Sequence, residues 1–164
     1  MTALLRRLVV VVVFLVTLIG VFALPVRGEP SGSLGREMTL DDRTVVDKVS
    51  LEQMQAIMKS EGYTWTLTEK HDILWKIDGY NVVILVMDSS LSCLFGYNDI
   101  TPSLEQINAW NRSKRFSTSY LNEKGHPFLE LDLELDRGVT VGRIKDYLKT
   151  CRVSISKWSA ELVK

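Results

Sequence analysis

Few residues of this chain are of types that do chemistry, and their spacing decides what chemistry they could do. His71 and His126 each sit among turn-forming residues, with no acid, thiol or second imidazole at motif spacing. Histidines so placed are solvated turn residues first and ligands or general bases second. The carboxylates Glu130, Asp132, Glu134 and Asp136 alternate along one segment and could imitate a calcium site. A turn at Lys124-Gly125 would set Arg115, Ser117 and Ser119 opposite them, so the pattern reads as a solvated, salt-bridged strand face. Cys93 and Cys151 are the only two thiols. They are candidates for a disulfide, with two buried free thiols as the alternative, because spacing cannot fix the Cα–Cα distance a bridge requires. No serine lies in a nucleophile elbow, and there is no Gly-rich phosphate loop or Cys-x-x-Cys. Asn111-Arg112-Ser113 is a formal glycosylation sequon, which matters only on a eukaryotic secretory route. No catalytic residue, cofactor or metal is expected from these residues.

The N-terminus bounds the compartment. Arg6-Arg7, an apolar run from Leu8 to Leu24, and Val26-Arg27-Gly28 with small residues at both ends have the form of a secretory signal cleaved after Gly28. The apolar run is also at the short edge of what spans a bilayer, so an uncleaved anchor is the alternative and the only membrane contact expected. Either way the folded part is exported, periplasmic or secreted, where disulfides persist. Removing residues 1–28 takes three arginines and no acid, leaving 17 basic against 20 acidic residues, formally −3. No basic run interleaved with aromatics survives, which argues against a nucleic-acid partner. Residues 29–44 read as a flexible leader and 45–164 as one domain.

The elements that must position these residues follow from periodicity. Ser50-Leu-Glu-Gln53 opens a helix with a capping box, and Leu51, Met54, Ile57 and Met58 form its apolar stripe. Four strands follow, with turns at Glu69–His71, Asp78-Gly79 and Asp88-Ser89. Those turns fix registers: Trp65 beside Trp75, Trp75 opposite Val82, Ile84 opposite Cys93. One face then carries Tyr63, Trp65, Leu67, Ile73, Trp75, Ile77, Val82, Ile84, Val86, Leu91, Cys93 and Phe95. The other presents Leu74, Val83, Leu85, Met87 and Leu94, rimmed by Thr64, Thr66, Lys76 and Ser92. A polar face would be expected there, so this patch is a candidate homodimer or client surface.

A second capping box, Ser103-Leu-Glu-Gln106, opens a helix whose stripe is Leu104, Ile107 and Trp110 or Asn111. It ends near Arg112, and from Arg115 the period changes to two, with Phe116, Thr118 and Tyr120 on one face. Phe128 to Leu135 alternates strictly. Val141, Ile144, Leu148, Cys151, Ile155, Trp158 and Leu162 form the stripe of a last helix, with a weak point at Cys151–Ser154. The fold class expected is α+β: an antiparallel sheet with helices on one side, in the order helix, four strands, helix, two strands, helix.

Asn108, Trp110, Asn111, Arg115 and Phe116, then Tyr120, Gly125 and the Leu129-Glu-Leu-Asp132-Leu strand, resemble the signature of the bacterial YbjN domain family. The resemblance spans residues 45–162, with its specific motifs in 103–133. It implies a fold like that of type III secretion chaperones and a role as a sensory-transduction regulator; the export signal is a departure from the many cytoplasmic members. The expected function is an exported, non-catalytic protein-binding or chaperone-like module. The alternatives are a small-ligand or lipid-binding envelope protein and an unrecognised hydrolase.

Overall fold

A computed structural model describes residues 41–162; the signal-like segment and the leader up to residue 40 lie outside the described residues. In chain order the elements are β1 (Val45–Val46), α1 (Leu51–Ser60), β2 (Thr64–Leu67), β3 (Ile73–Ile77), β4 (Tyr80–Val86), β5 (Ser90–Gly96), α2 (Leu104–Ser113), β6 (Thr118–Leu121), β7 (Pro127–Glu134), β8 (Val139–Thr140) and α3 (Val141–Leu162). Strands β2 to β7 form one antiparallel sheet in the order β2-β3-β4-β5-β7-β6, and β1 pairs with β8 in a separate two-stranded sheet. The small sheet was not expected. Its neighbourhood is nonetheless ordered: Val141 N–H donates to Thr44 O at 2.9 Å and Gly142 N–H to Asp42 O at 2.8 Å, tying residues 42–44 to the start of α3.

Both capping boxes form. Ser50 Oγ accepts from Gln53 N while Gln53 Oε1 accepts from Ser50 N, and Ser103 and Gln106 repeat the arrangement. Each satisfies two of the N–H groups that a helix start leaves unpaired. The three hairpin registers of β2 to β5 are those the turns dictate: Trp65↔Trp75, Trp75↔Val82 and Ile84↔Cys93. At the tightest of them Asp78 and Gly79 take φ of 48° and 83°, the left-handed pair that matches strand twist.

The helices lie over one face of the sheet. Met54, Ile57 and Met58 of α1, Trp110 of α2, and Val141, Ile144, Leu148, Cys151, Ile155 and Trp158 of α3 bury against Ile73, Trp75, Val82, Ile84, Leu91, Cys93, Leu129 and Leu131. Tyr147 also turns inward; its hydroxyl donates to Leu131 O at 2.7 Å, which satisfies the one polar atom of a buried ring. Helix α3 runs unbroken through Cys151–Ser154, because burial of Cys151 and Ile155 outweighs the weak helix preference of Val153 and Ser154.

Three expectations fail at the margins. Leu67 is 44 % exposed at the sheet edge, and Leu104, in the first turn of α2, is 66 % exposed. The third concerns β6. Asn122 N–H donates to His126 O and Gly125 N–H to Asn122 O, so the loop is Glu123-Lys124-Gly125, one residue longer than a Lys124-Gly125 turn. That single residue reverses the strand's faces. Thr118 lies opposite Glu130 and Ser119 opposite Leu129, and β6 starts at Thr118, not Arg115. Ser119 is therefore the core residue, and no ion pair among the described residues joins Arg115 to the acids of β7.

One surface ion pair ties the β3–β4 turn to α3. Arg152 Nε and Nη2 donate to Asp78 Oδ2 and Oδ1, each at 2.9 Å, and this pairing holds the Asp78 carboxyl below its ordinary value of 3.8. A folded-state value below the unfolded one means the stabilisation is present above pH 3.8 and is lost as pH falls through the depressed value. Asp78→Asn keeps a left-handed-tolerant residue in the turn and removes the charge. Its urea midpoint should fall less than the native protein's between about pH 5 and pH 3, measured by circular dichroism at each pH.

Candidate functional site

The motif region is built from the end of α2 and the start of β6. Trp110 is buried; its Nε1–H donates to Ser117 Oγ at 3.1 Å, and Lys114 Nζ lies 5.2 Å from its ring centroid. Lys114 N–H closes the helix on Trp110 O at 2.8 Å, and its ammonium pairs with Glu161 of α3 at 2.8 Å. Asn111 does something different. Its Nδ2 donates to Ser119 O at 2.9 Å and its Oδ1 accepts from Ser119 N at 2.8 Å. Ser119 belongs to the outermost strand, in a position where N–H and C=O point away from β7. The amide side chain thus stands in for a neighbouring strand and closes the sheet edge at that residue. Asn108 is exposed and makes no hydrogen bond among the described residues.

Between these clamps, Arg115 and Phe116 are both exposed, Phe116 by 75 % and at a φ of 66°. A bulky side chain in the left-handed region costs about 1–3 kcal/mol, sustained here by the bonds of Trp110, Asn111 and Ser117 on either side. Tyr120 stacks on Phe128 with centroids 5.8 Å apart, on the face away from the helices. Burial, and then the charge of Glu130, raises its phenol above the ordinary range. Gly96 makes room for this stack: a Cβ there would lie 2.9 Å from the Phe128 ring and from Pro127 O. Asp132 is exposed on the same outer face.

Leu74, Val83, Leu85 and Leu94 are half-buried on that outer face and Met87 is 44 % exposed. Beside them β7 presents Glu130, Asp132 and Glu134, and Ser92 Oγ donates to Glu130 Oε1 at 3.2 Å. The histidines stand apart. His71 is exposed at a φ of 66° in the β2–β3 turn, at the mouth of an open cleft of about 560 Å³ that Lys48, Ser50, Lys70, Asp72 and Asp88 also line. His126 closes the β6–β7 turn, its backbone N–H donating to Asn122 Oδ1 at 2.9 Å. Neither imidazole is hydrogen-bonded among the described residues, and these residues hold no group of three His, Cys, Asp or Glu able to grip a metal.

Cys93 and Cys151 are two buried free thiols, on the facing elements β5 and α3. Burial pushes the Cys93 thiol well above its ordinary range, and its contact with Cys151 adds to that. A thiol so placed is inert to nucleophilic work. Sequence reasoning missed the role of Ser119, whose hydroxyl accepts from Trp158 Nε1 at 2.9 Å and donates to Phe128 O at 3.3 Å. The Asn122-x-x-Gly125 loop, with asparagine at the turn's start and glycine at its left-handed third position, was the signal that could have found it.

The motif residues have separable duties, and substitution distinguishes them. Trp110→Ala should cost about 3–5 kcal/mol through the cavity it leaves. Asn111→Ala leaves both Ser119 groups without their partner and should cost about 1–3 kcal/mol, with a concentration-dependent loss of solubility that Trp110→Ala lacks. Urea titration and light scattering on both variants check this.

No curated protein matches the chain. The solved structure of YbjN from E. coli, described as "a putative transcription regulator", aligns with a TM-score of 0.57 at 17 % identity, covering 70 % of this chain and 91 % of that one. The Yersinia pestis type III secretion chaperone SycH, solved in complex with a fragment of YscM2, aligns with a TM-score of 0.47 at 14 % identity, covering 65 % and 93 % respectively. The YbjN family, described as "Putative bacterial sensory transduction regulator", matches residues 50–163, the whole span from the first capping box to the end of α3, and the chain belongs to that family.

Proposed function

We propose that this protein is an exported, non-catalytic protein-binding module, regulatory or chaperone-like, that receives a partner segment on the outer face of its sheet. The observation that carries the reading is the composition of that face. The helices bury the other side, while Leu74, Val83, Leu85, Met87 and Leu94 stay at least partly open here, in a position where a solvated sheet would be polar. The acids of β7 flank the patch, so the segment that fits it is apolar with lysine or arginine on its β7 side. The family's description as a regulator is in keeping with such a role, and no constellation of nucleophile and base stands among the described residues to favour hydrolysis.

A fluorescent peptide alternating leucine and lysine is a suitable probe. Leu85→Asp should weaken its binding at least about tenfold in anisotropy titrations while leaving the circular dichroism unchanged. Equal affinity of the two proteins would remove the outer face from consideration.

Export is tested separately. The mature N-terminus is expected at Glu29, read by N-terminal sequencing of the envelope fraction; recovery of Met1 with membranes would establish an anchor instead.

A further inference from the structure

The two edges of the large sheet are finished differently. On β6 the outward N–H and C=O of Ser119 are taken by Asn111. On β2 the corresponding groups belong to Trp65 and Leu67. The phase is set by the turn: Thr68 N–H donates to Asp72 O at 2.9 Å, so Thr66 and Thr64 direct their backbone groups to β3, and the residues between them point away. Among the described residues no side chain or strand takes those outward groups. Its shortness, four residues, is the one guard visible: Thr64-Trp65-Thr66-Leu67 contains no charge and no proline. Leu67 is 44 % exposed and Trp65 half-buried on the same side of the sheet.

We propose that β2 is the contact by which two copies of this chain associate, strand to strand and antiparallel about a two-fold axis. The register follows from the alternation. Only Trp65 and Leu67 offer outward groups, so Trp65 pairs with Leu67 of the second copy and Leu67 with its Trp65, while Thr66 faces its own counterpart on the axis. Each exposed Leu67 then comes beside a partner tryptophan, and the polar positions meet threonine against threonine, a favourable cross-strand pair. A strand paired with itself must carry no charge that would oppose its own image, and β2 carries none. That self-complementarity is what a two-fold contact between copies requires. The contact is small, in the class of weak or transient interfaces, and it leaves the outer face of both copies open on one continuous sheet. The inference is independent of what that face binds.

The test uses protein purified from cells expressing the full chain. At about 100 µM, sedimentation equilibrium should show a dimer in exchange with monomer, and Leu67→Lys, which alters an exposed side chain, should shift the sample to monomer with an unchanged circular dichroism spectrum. Cross-linking reads the register. Thr64 and Thr66 are both exposed on β2. In the proposed pairing Thr66 meets itself across a non-hydrogen-bonded pair, with Cα atoms about 4.5 Å apart and within disulfide range, whereas Thr64 faces Thr68. Under oxidised glutathione, Thr66→Cys should form a covalent dimer at least about tenfold faster than Thr64→Cys, by thiol–disulfide exchange that releases two glutathione thiols per bridge. A wild-type protein that stays monomeric, a Leu67→Lys variant that dimerises as well as wild type, or equal rates of cross-linking at the two positions would each overturn the proposal.

Discussion

Ser119 is where the fold is tied together. It is 2 % exposed, and both its backbone groups and its hydroxyl are committed: N–H and C=O to Asn111 of α2, hydroxyl to Trp158 of α3 and to Phe128 O of β7. Four elements meet on one small residue. A buried polar network stabilises only when every member is satisfied, and here each partner depends on the others being in place. Trp158 can sit in the core because its indole N–H has Ser119; Ser119 can face the core because Asn111 and Phe128 complete it. The sheet's last two strands, α2 and the C-terminal half of α3 therefore form one cooperative unit.

A one-sided sheet imposes a second constraint, on where function can reside. The face under the helices is filled by Trp75, Ile84, Leu91, Cys93 and their neighbours, leaving its chemistry-bearing residues sealed. Among the described residues, the polar groups that remain accessible are distributed along turns and along β7. The solved E. coli YbjN, at 17 % identity, is a likeness of fold.

How much of this was legible in the sequence varies along the chain. The first four strands could be placed in register because Asp78-Gly79 and its two companion turns each specify a loop length, and three independent loop lengths had to agree on one apolar face. The β6–β7 hairpin lacked that check. Ser117, Ser119, Thr118 and Tyr120 give no strong hydrophobic contrast, so a loop misread by one residue met no contradiction and turned Ser119 outward. Trp110 was correctly legible as a buried residue, since a large apolar side chain at helical spacing has one economical place to go. That Asn111 would find its backbone partner at Ser119, on the strand's outer edge, was not, because a side chain imitating a strand across eight residues leaves no periodic trace. Leu67 and Leu104 belong to another class: they fit their patterns, but no element among the described residues reaches far enough to cover them.

The thiol pair has a consequence of a different kind. Cys93 and Cys151 are fully buried where α3 crosses β5, so a soluble alkylating reagent can reach them only after that helix lifts from the sheet. Their rate of modification is then a clock for that opening, intrinsic to the unlabelled protein. With the chain holding no third cysteine, the clock reports from one place, the seam between α3 and the middle of the large sheet.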